Sequence, residues 1–249
     1  MTNLIDHPVA LFGVLFTALL VVVEIGYRVV LRIYVDGKEE LHEEIVAARD
    51  AISVLLSLLL AFTLAMVLTR YDSRKQLIVD EANAIGTTRL RARMLAEPSR
   101  SEILALLQKY LEARMRFSDA GLDQEKLNVS FSQANALLEE MWQKSVAVAQ
   151  QSPTPITSIF VQSLNETTDL SERRLAALEN RIPRVLWLVL IIMSTLTCLL
   201  VGFSFRRRTF LVILVWPLMI SIVLALSADL DSPRTGLIQI GQQSIERLR

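Results

Sequence analysis

The sequence predicts an all-α integral membrane protein with four transmembrane helices and an extramembrane helical bundle between the second and the third. Three observations carry that reading. Of 249 residues, 52% are hydrophobic and only 21% charged, and the mean hydropathy of +0.42 exceeds what a soluble globule of this size needs. The apolar excess is gathered in four runs long enough to cross a bilayer. Elsewhere, apolar residues recur at helical rather than alternating spacing. Disorder, a disulfide scaffold and a freely soluble enzyme are disfavoured together.

A hydrocarbon core of about 30 Å takes roughly 20 helical residues. The first run, Val9 to about Tyr27, has Glu24 near its far end and is followed by Arg28 and Arg32. Met1 to Pro8 contain no Lys or Arg and the run exceeds a signal-peptide core, so an uncleaved span is expected. Glu24 and Arg28 sit one helical turn apart and can neutralise each other. The second run, Ala51–Leu68, the third, Val185–Phe205, and the fourth, Phe210–Ala228, contain no charged side chain. Arg206, Arg207, Arg208 and Thr209 leave room only for a tight antiparallel turn between the last two. Pro217 removes a backbone donor inside the fourth span, and a kink is expected.

Between the second and third spans, Arg70 to Arg184 is a 115-residue segment with 16 Lys/Arg and 15 Asp/Glu. Tyr71 to Ala96 has no proline, so the second span is expected to continue as one long helix until Pro98 stops it. A helix restarts at Pro98 and Ser99, with Ile103, Leu106, Leu107, Tyr110, Leu111 and Phe117 as one stripe, and closes at Asp119 to Gly121. Another runs from Leu127 to Gln150. A further one runs from Ile156 to Asn180, with Ile159, Phe160, Leu164, Thr167, Leu175 and Leu178 inward, and Pro183 ends it. One-sided helices must bury their stripes on each other, which makes a bundle. The domains expected are therefore 1–69, the first transmembrane pair; 70–184, the helical domain; 185–228, the second pair; and 229–249, a C-terminal tail.

The chemistry of catalysis is not written in the chain. His7 and His42 lack metal-ligand spacing, no phosphate loop, nucleophile motif or HExxH occurs, and no cofactor is expected. Asp80 and Glu81, like Glu139 and Glu140, are adjacent pairs that diverge on a helix, and they read as solvated faces. The lone Cys198 lies in an apolar run and reads as an inert buried thiol. Lys+Arg 26 against Asp+Glu 26 gives no basic footprint for nucleic acid. An enzyme is not expected.

Two charged features remain. Asp229 and Asp231, with Pro233 and Gly236, follow the last span: a helix stop with a turn, or a candidate cation site short of the ligands calcium needs. Arg70, Arg74, Lys75, Arg173, Arg174, Arg181 and Arg184 gather where the bundle meets the lipid. They either anchor to anionic headgroups or line an anion-attracting vestibule, with Arg70, Arg74, Lys75, Arg181 and Arg184 as its candidate residues.

The stretch Val54-Leu55-Leu56-Ser57-Leu58-Leu59-Leu60-Ala61-Phe62-Thr63-Leu64-Ala65-Met66-Val67-Leu68-Thr69-Arg70-Tyr71 resembles the second helix of bestrophin channels, with its serine, apolar residues one turn apart and Thr-Arg-aromatic exit. The order of elements is similar as well: two spans, a helical domain, two spans, then the acidic Pro/Gly segment Asp229–Gly236. Arg70 to Arg74, then Asp80 to Gly86, together with that tail, resemble a bacterial group described as bestrophin-like. The likeness covers most of the chain in layout and a smaller part in motif. The family's calcium clasp has a denser acidic run than this tail.

The resemblance implies a pore neck lined by Val54, Leu58 and Phe62, whose spacing of four places them on one helix face. Rings of such residues form a constriction that gates by dewetting. One four-span subunit has too little wall to enclose a pore, so self-association is required, and the family implies a pentamer. The function expected is an oligomeric ion channel, with anions such as chloride favoured over cations. The rival is a non-conducting sensor or scaffold whose helical domain binds a ligand or partner. Expected partners are the lipid bilayer, small ions and further copies of the chain. Arg28, Arg32, Lys38, Arg49 and the three arginines at 206 to 208 lie on one face, and the positive-inside rule would call it cytoplasmic and put the bundle and both termini outside. Seven Lys/Arg flank the domain too, and the family keeps the domain and both termini in the cytosol. A multi-pass protein of the bacterial inner membrane with a cytoplasmic helical domain is therefore expected.

Overall fold

The computed structural model describes residues 7–33, 39–121, 123–205, 210–234, 236–238 and 240–248. The hairpin turn predicted at Arg206, Arg207, Arg208 and Thr209 lies outside them. Among the described residues every regular element is an α-helix. The chain divides into two compact units, Met1–Tyr71 with Arg181–Ile238, and Asp72–Asn180 with Gln239–Arg249. The segment expected as a single tail from 229 is thus shared between them.

The first unit contains α1 (Pro8–Ile33), the earlier part of α2 (Glu39–Ala92), α6 (Arg184–Ser204) and α7 (Phe210–Asp231). Among the described residues four helices are long and apolar enough to cross a membrane. Leu19, Val23, Leu56, Leu190, Cys198, Ile213, Ile220 and Leu224 interlock as the core. Val14, Val21 and Ile25 of α1, Ile191 and Ile192 of α6, and Met219 and Ile222 of α7 stay exposed. Water would penalise such a surface, whereas acyl chains solvate it. The chain is a multi-pass membrane protein. Glu24 and Arg28 form the expected pair, at 2.8 Å, and Pro217 lies within α7.

α1 and α6 meet through two glycines. A Cβ on Gly202 would lie 3.0 Å from the Gly26 Cα and 2.9 Å from the Tyr27 nitrogen, and would run into the Val23 carbonyl. A Cβ on Gly26 would strike the Leu199 carbonyl. Backbones at this separation pack by dispersion alone, the means available to helices in lipid, where no hydrophobic force draws them together.

The second unit holds the rest of α2, α3 (Ser99–Asp119), α4 (Gln124–Gln151), α5 (Pro155–Glu179) and the short α8 (Gln243–Glu246). The Asp123 carboxylate caps α4 by accepting the Lys126 N–H at 3.2 Å. Thr154 caps α5 at the Thr157 N–H, with Pro155 opening the helix, as orphan amides at a helix start require. All six residues of the predicted α3 stripe are buried. All but Phe117 share a core with Ile85, Met141, Phe160, Leu164 and, from α8, Ile245.

The predicted inner face of α5 needs correction. Phe160, Leu164 and Thr167 are buried, but Ile159 is exposed and Leu175 and Leu178 are half-buried. Ser163, Ser171 and Arg174 are buried instead. Small hydroxyl residues rather than branched aliphatics make this face because it lies close against α2. Thr88 Oγ1 donates to the Ser163 carbonyl at 2.8 Å and sits 2.9 Å from Thr167 Oγ1.

Candidate functional site

Along α2, Val54, Leu58 and Phe62 are 68%, 49% and 63% exposed, whereas Leu56, Thr63 and Val67 are almost wholly buried. At 100° per residue the first three fall within an arc of about 80°, on the side away from the packed residues. Ala61, Ala65 and Thr69 extend the same open face. Its hydroxyls are turned back on their own helix, Ser57 donating to the Val54 carbonyl at 2.8 Å and Thr69 to that of Ala65 at 3.0 Å. The sequence is apolar all round here, so only packing distinguishes an inner face from an outer one. The structure brings the three predicted neck residues onto one open, apolar face.

Where α7 ends, two carboxylates occupy the last turn of a helix, next to the negative end of its dipole. Each is offset by donors. Asp229 accepts the Leu237 and Ile238 N–H groups at 2.8 and 3.1 Å. Asp231 accepts the Ile182 N–H at 3.1 Å and lies 3.7 Å from the Arg70 guanidinium. Gly236 adopts φ +120°, and a Cβ there would overlap the Asp229 carboxylate. The two residues named as a candidate cation site are thus buried, and both carboxylates accept backbone N–H groups. Among the described residues no group of three or more His, Cys, Asp and Glu is placed to hold a metal ion.

The basic residues have separate employments. Arg70 is half-buried and paired with Asp231. Arg74 is buried and donates to the Ala177 and Asn180 carbonyls at 3.0 and 2.9 Å. It satisfies the orphan acceptors at the α5 C-terminus, where a cation also meets the favourable end of the dipole. Lys75, Arg181 and Arg184 are exposed. Arg173 is exposed, but Arg174 is buried.

Arg174 belongs to a cluster that sequence reasoning missed. Glu81, expected on a solvated face, is fully buried. Its carboxylate meets Arg114 Nε at 2.7 Å and Arg174 Nη1 at 2.5 Å, and accepts the Tyr110 hydroxyl at 3.2 Å. Arg174 also donates to Gln242 Oε1 at 2.8 Å. Burial by itself would raise the Glu81 carboxyl, but the two guanidiniums outweigh it and hold its pKa below the ordinary value. Burial, reinforced by the Glu81 charge, pushes the Tyr110 hydroxyl upward, so it stays a neutral donor. No nucleophile or proton acceptor in this cluster opens onto a substrate space; it is a buried ionic core.

A model of the bestrophin-like domain matches residues 13–245. A search of curated proteins gave no match. Solved structures of a bacterial bestrophin homologue from Klebsiella pneumoniae superpose on the chain. One has a TM-score of 0.66 at 14% identity, covering 94% of each chain. A single-residue variant has 0.66 at 16%, covering 95% of each, and a second variant has 0.65 at 14%, covering 92% of this chain and 94% of the other. At such identities the likeness speaks for the fold. With the domain matched over nearly its whole length, the chain belongs to the bestrophin-like family.

Proposed function

We propose that the chain is the subunit of a homo-oligomeric ion channel, a pentamer by analogy with bestrophins, in which the open face of α2 lines the neck. The observation that supports this most is the joint exposure of Val54, Leu58 and Phe62 opposite the packed face of the same helix. Copies arranged about an axis would stack these side chains as apolar rings, a constriction that conducts when wetted and closes when dewetted. Arg181 and Arg184, exposed where α6 begins, supply positive charge at the pore mouth and favour anions such as chloride. The helical unit and both termini are assigned to the cytoplasm and the whole to the bacterial inner membrane.

Flux from proteoliposomes tests the reading. Purified protein passes small ions, and Leu58→Ala or Phe62→Ala raises the rate; background flux in the parent and both variants rejects it.

A second reading has its own observation. α2 is unbroken for 54 residues, which suits a non-conducting sensor or scaffold. Native mass of the detergent-solubilised protein separates the two, a monomer or dimer favouring the sensor and a ring of four or more copies the channel.

A further inference from the structure

In the helical unit, α4 and α5 enclose a groove of about 360 Å³. Asn135, Leu138, Glu139 and Trp142 face it from α4, and Asn165, Thr168 and Glu172 from α5. These are successive turns of two opposed helix faces, at spacings of three and four residues. The lining is mixed: an indole and a leucine give an apolar wall, while Asn135, Asn165, Thr168 and two carboxylates make the rest polar.

Asn135 Oδ1 is buried and finds no hydrogen-bond partner among the described residues. Such an atom costs stability unless a donor reaches it. Glu139 uses Oε1 to accept from Gln143 at 3.0 Å, which leaves Oε2 for another donor. The Asn165 amide nitrogen is directed to Asp169 at 3.4 Å, adding a third carboxylate beside the groove. Thr168 gives its hydroxyl proton to the Leu164 carbonyl at 3.0 Å. No Lys or Arg lines the groove. Arg114, close enough to feel the Glu172 charge, is buried and engaged with Glu81.

We infer that this groove binds a small organic ammonium ion, a primary amine carrying a short apolar body. The ammonium pairs with the Glu139 and Glu172 carboxylates that line the groove, and the Trp142 ring offers a cation–π face. The apolar body covers Leu138 and the indole. An anion would face two carboxylates without a compensating cation. A hard divalent ion would need six or more oxygens and gains nothing from an indole. The volume falls in the range of small-ligand sites. The binding stands whether or not the chain conducts.

Isothermal titration of the full chain in detergent with n-butylammonium chloride, against sodium chloride at equal ionic strength, tests it. One saturable site per chain is expected. Trp142→Leu and the near-isosteric Glu172→Gln each weaken binding by roughly tenfold, the scale of one lost cation–π or charge contact. Glu166→Gln, exposed on α5 but outside the lining, leaves it unchanged. Circular dichroism melting shows each variant folded. Heat no greater than that of sodium chloride, affinity unchanged in both groove variants, or displacement of the amine by equimolar calcium overturns the assignment.

Discussion

Glu81 is fully buried and holds two guanidiniums. Removing one charge from a buried set leaves the others unpaired, a loss of about 3–5 kcal/mol. Glu81→Gln is therefore expected to lower the melting temperature of the purified protein far more than Asp80→Asn next to it, as followed by circular dichroism. The pH dependence has a definite sign. The folded-state carboxyl titrates below its ordinary 4.5, so the stability it contributes is complete above about pH 4.5 and is lost as the pH falls through the folded value. Acid melts of the parent should show this loss and those of Glu81→Gln should not. Nothing in the local sequence separates Asp80 from Glu81: both are carboxylates on one helix. Only the convergence of Arg114 and Arg174, distant in the chain, makes one of them interior. The same limit explains Arg74, which reads as a headgroup anchor or a vestibule residue from its place after the second span but donates to the last carbonyls of α5.

At the scale of elements the sequence is more explicit, because helix ends depend on local chemistry. Pro98, Pro153, Pro155 and Pro183 punctuate the helical domain, and the observed bounds of α3, α4 and α5 follow them within a few residues. The stripe of α3 was legible since its inner residues are large and aliphatic or aromatic. That of α5 was only half legible, since Ser163 and Ser171 look like surface residues until neighbouring helices are packed against them. The α1–α6 contact was hidden for a related reason: a glycine in an apolar helix signals nothing until its neighbour is known. Gly202→Ala places a methyl group into the Val23 carbonyl and against Tyr27, so the helices must separate. A loss of about 1–3 kcal/mol is expected from overpacking, read as a lower unfolding temperature in detergent; Gly13→Ala, with open space around it, should be tolerated. The turn after α7 gives a parallel case. Gly236→Ala combines a disfavoured φ with a clash on Asp229 and should increase proteolysis after α7 relative to the parent.

For the whole molecule, the exposed face of α2 has two physically distinct destinations. Acyl chains and a dewetted pore both accept Val54, Leu58 and Phe62, because neither demands hydrogen bonds from them, so apolar exposure by itself does not choose between lipid and conduit. Water does. A thiol reacts with a charged sulfhydryl reagent only where water lets the thiolate form and the reagent arrive. The chain suits this test, since its single cysteine, Cys198, is buried and contributes no background labelling. Leu58→Cys and Phe62→Cys in liposomes are expected to be modified by a membrane-impermeant methanethiosulfonate, faster when an additional Val54→Ala widens the constriction. Ile192→Cys on α6 and Ile222→Cys on α7, exposed to a similar degree, should stay unmodified, because a surface facing hydrocarbon excludes the reagent. Equal protection of all four positions would assign the α2 face to lipid and remove the neck from the molecule, whatever the number of copies in the assembly.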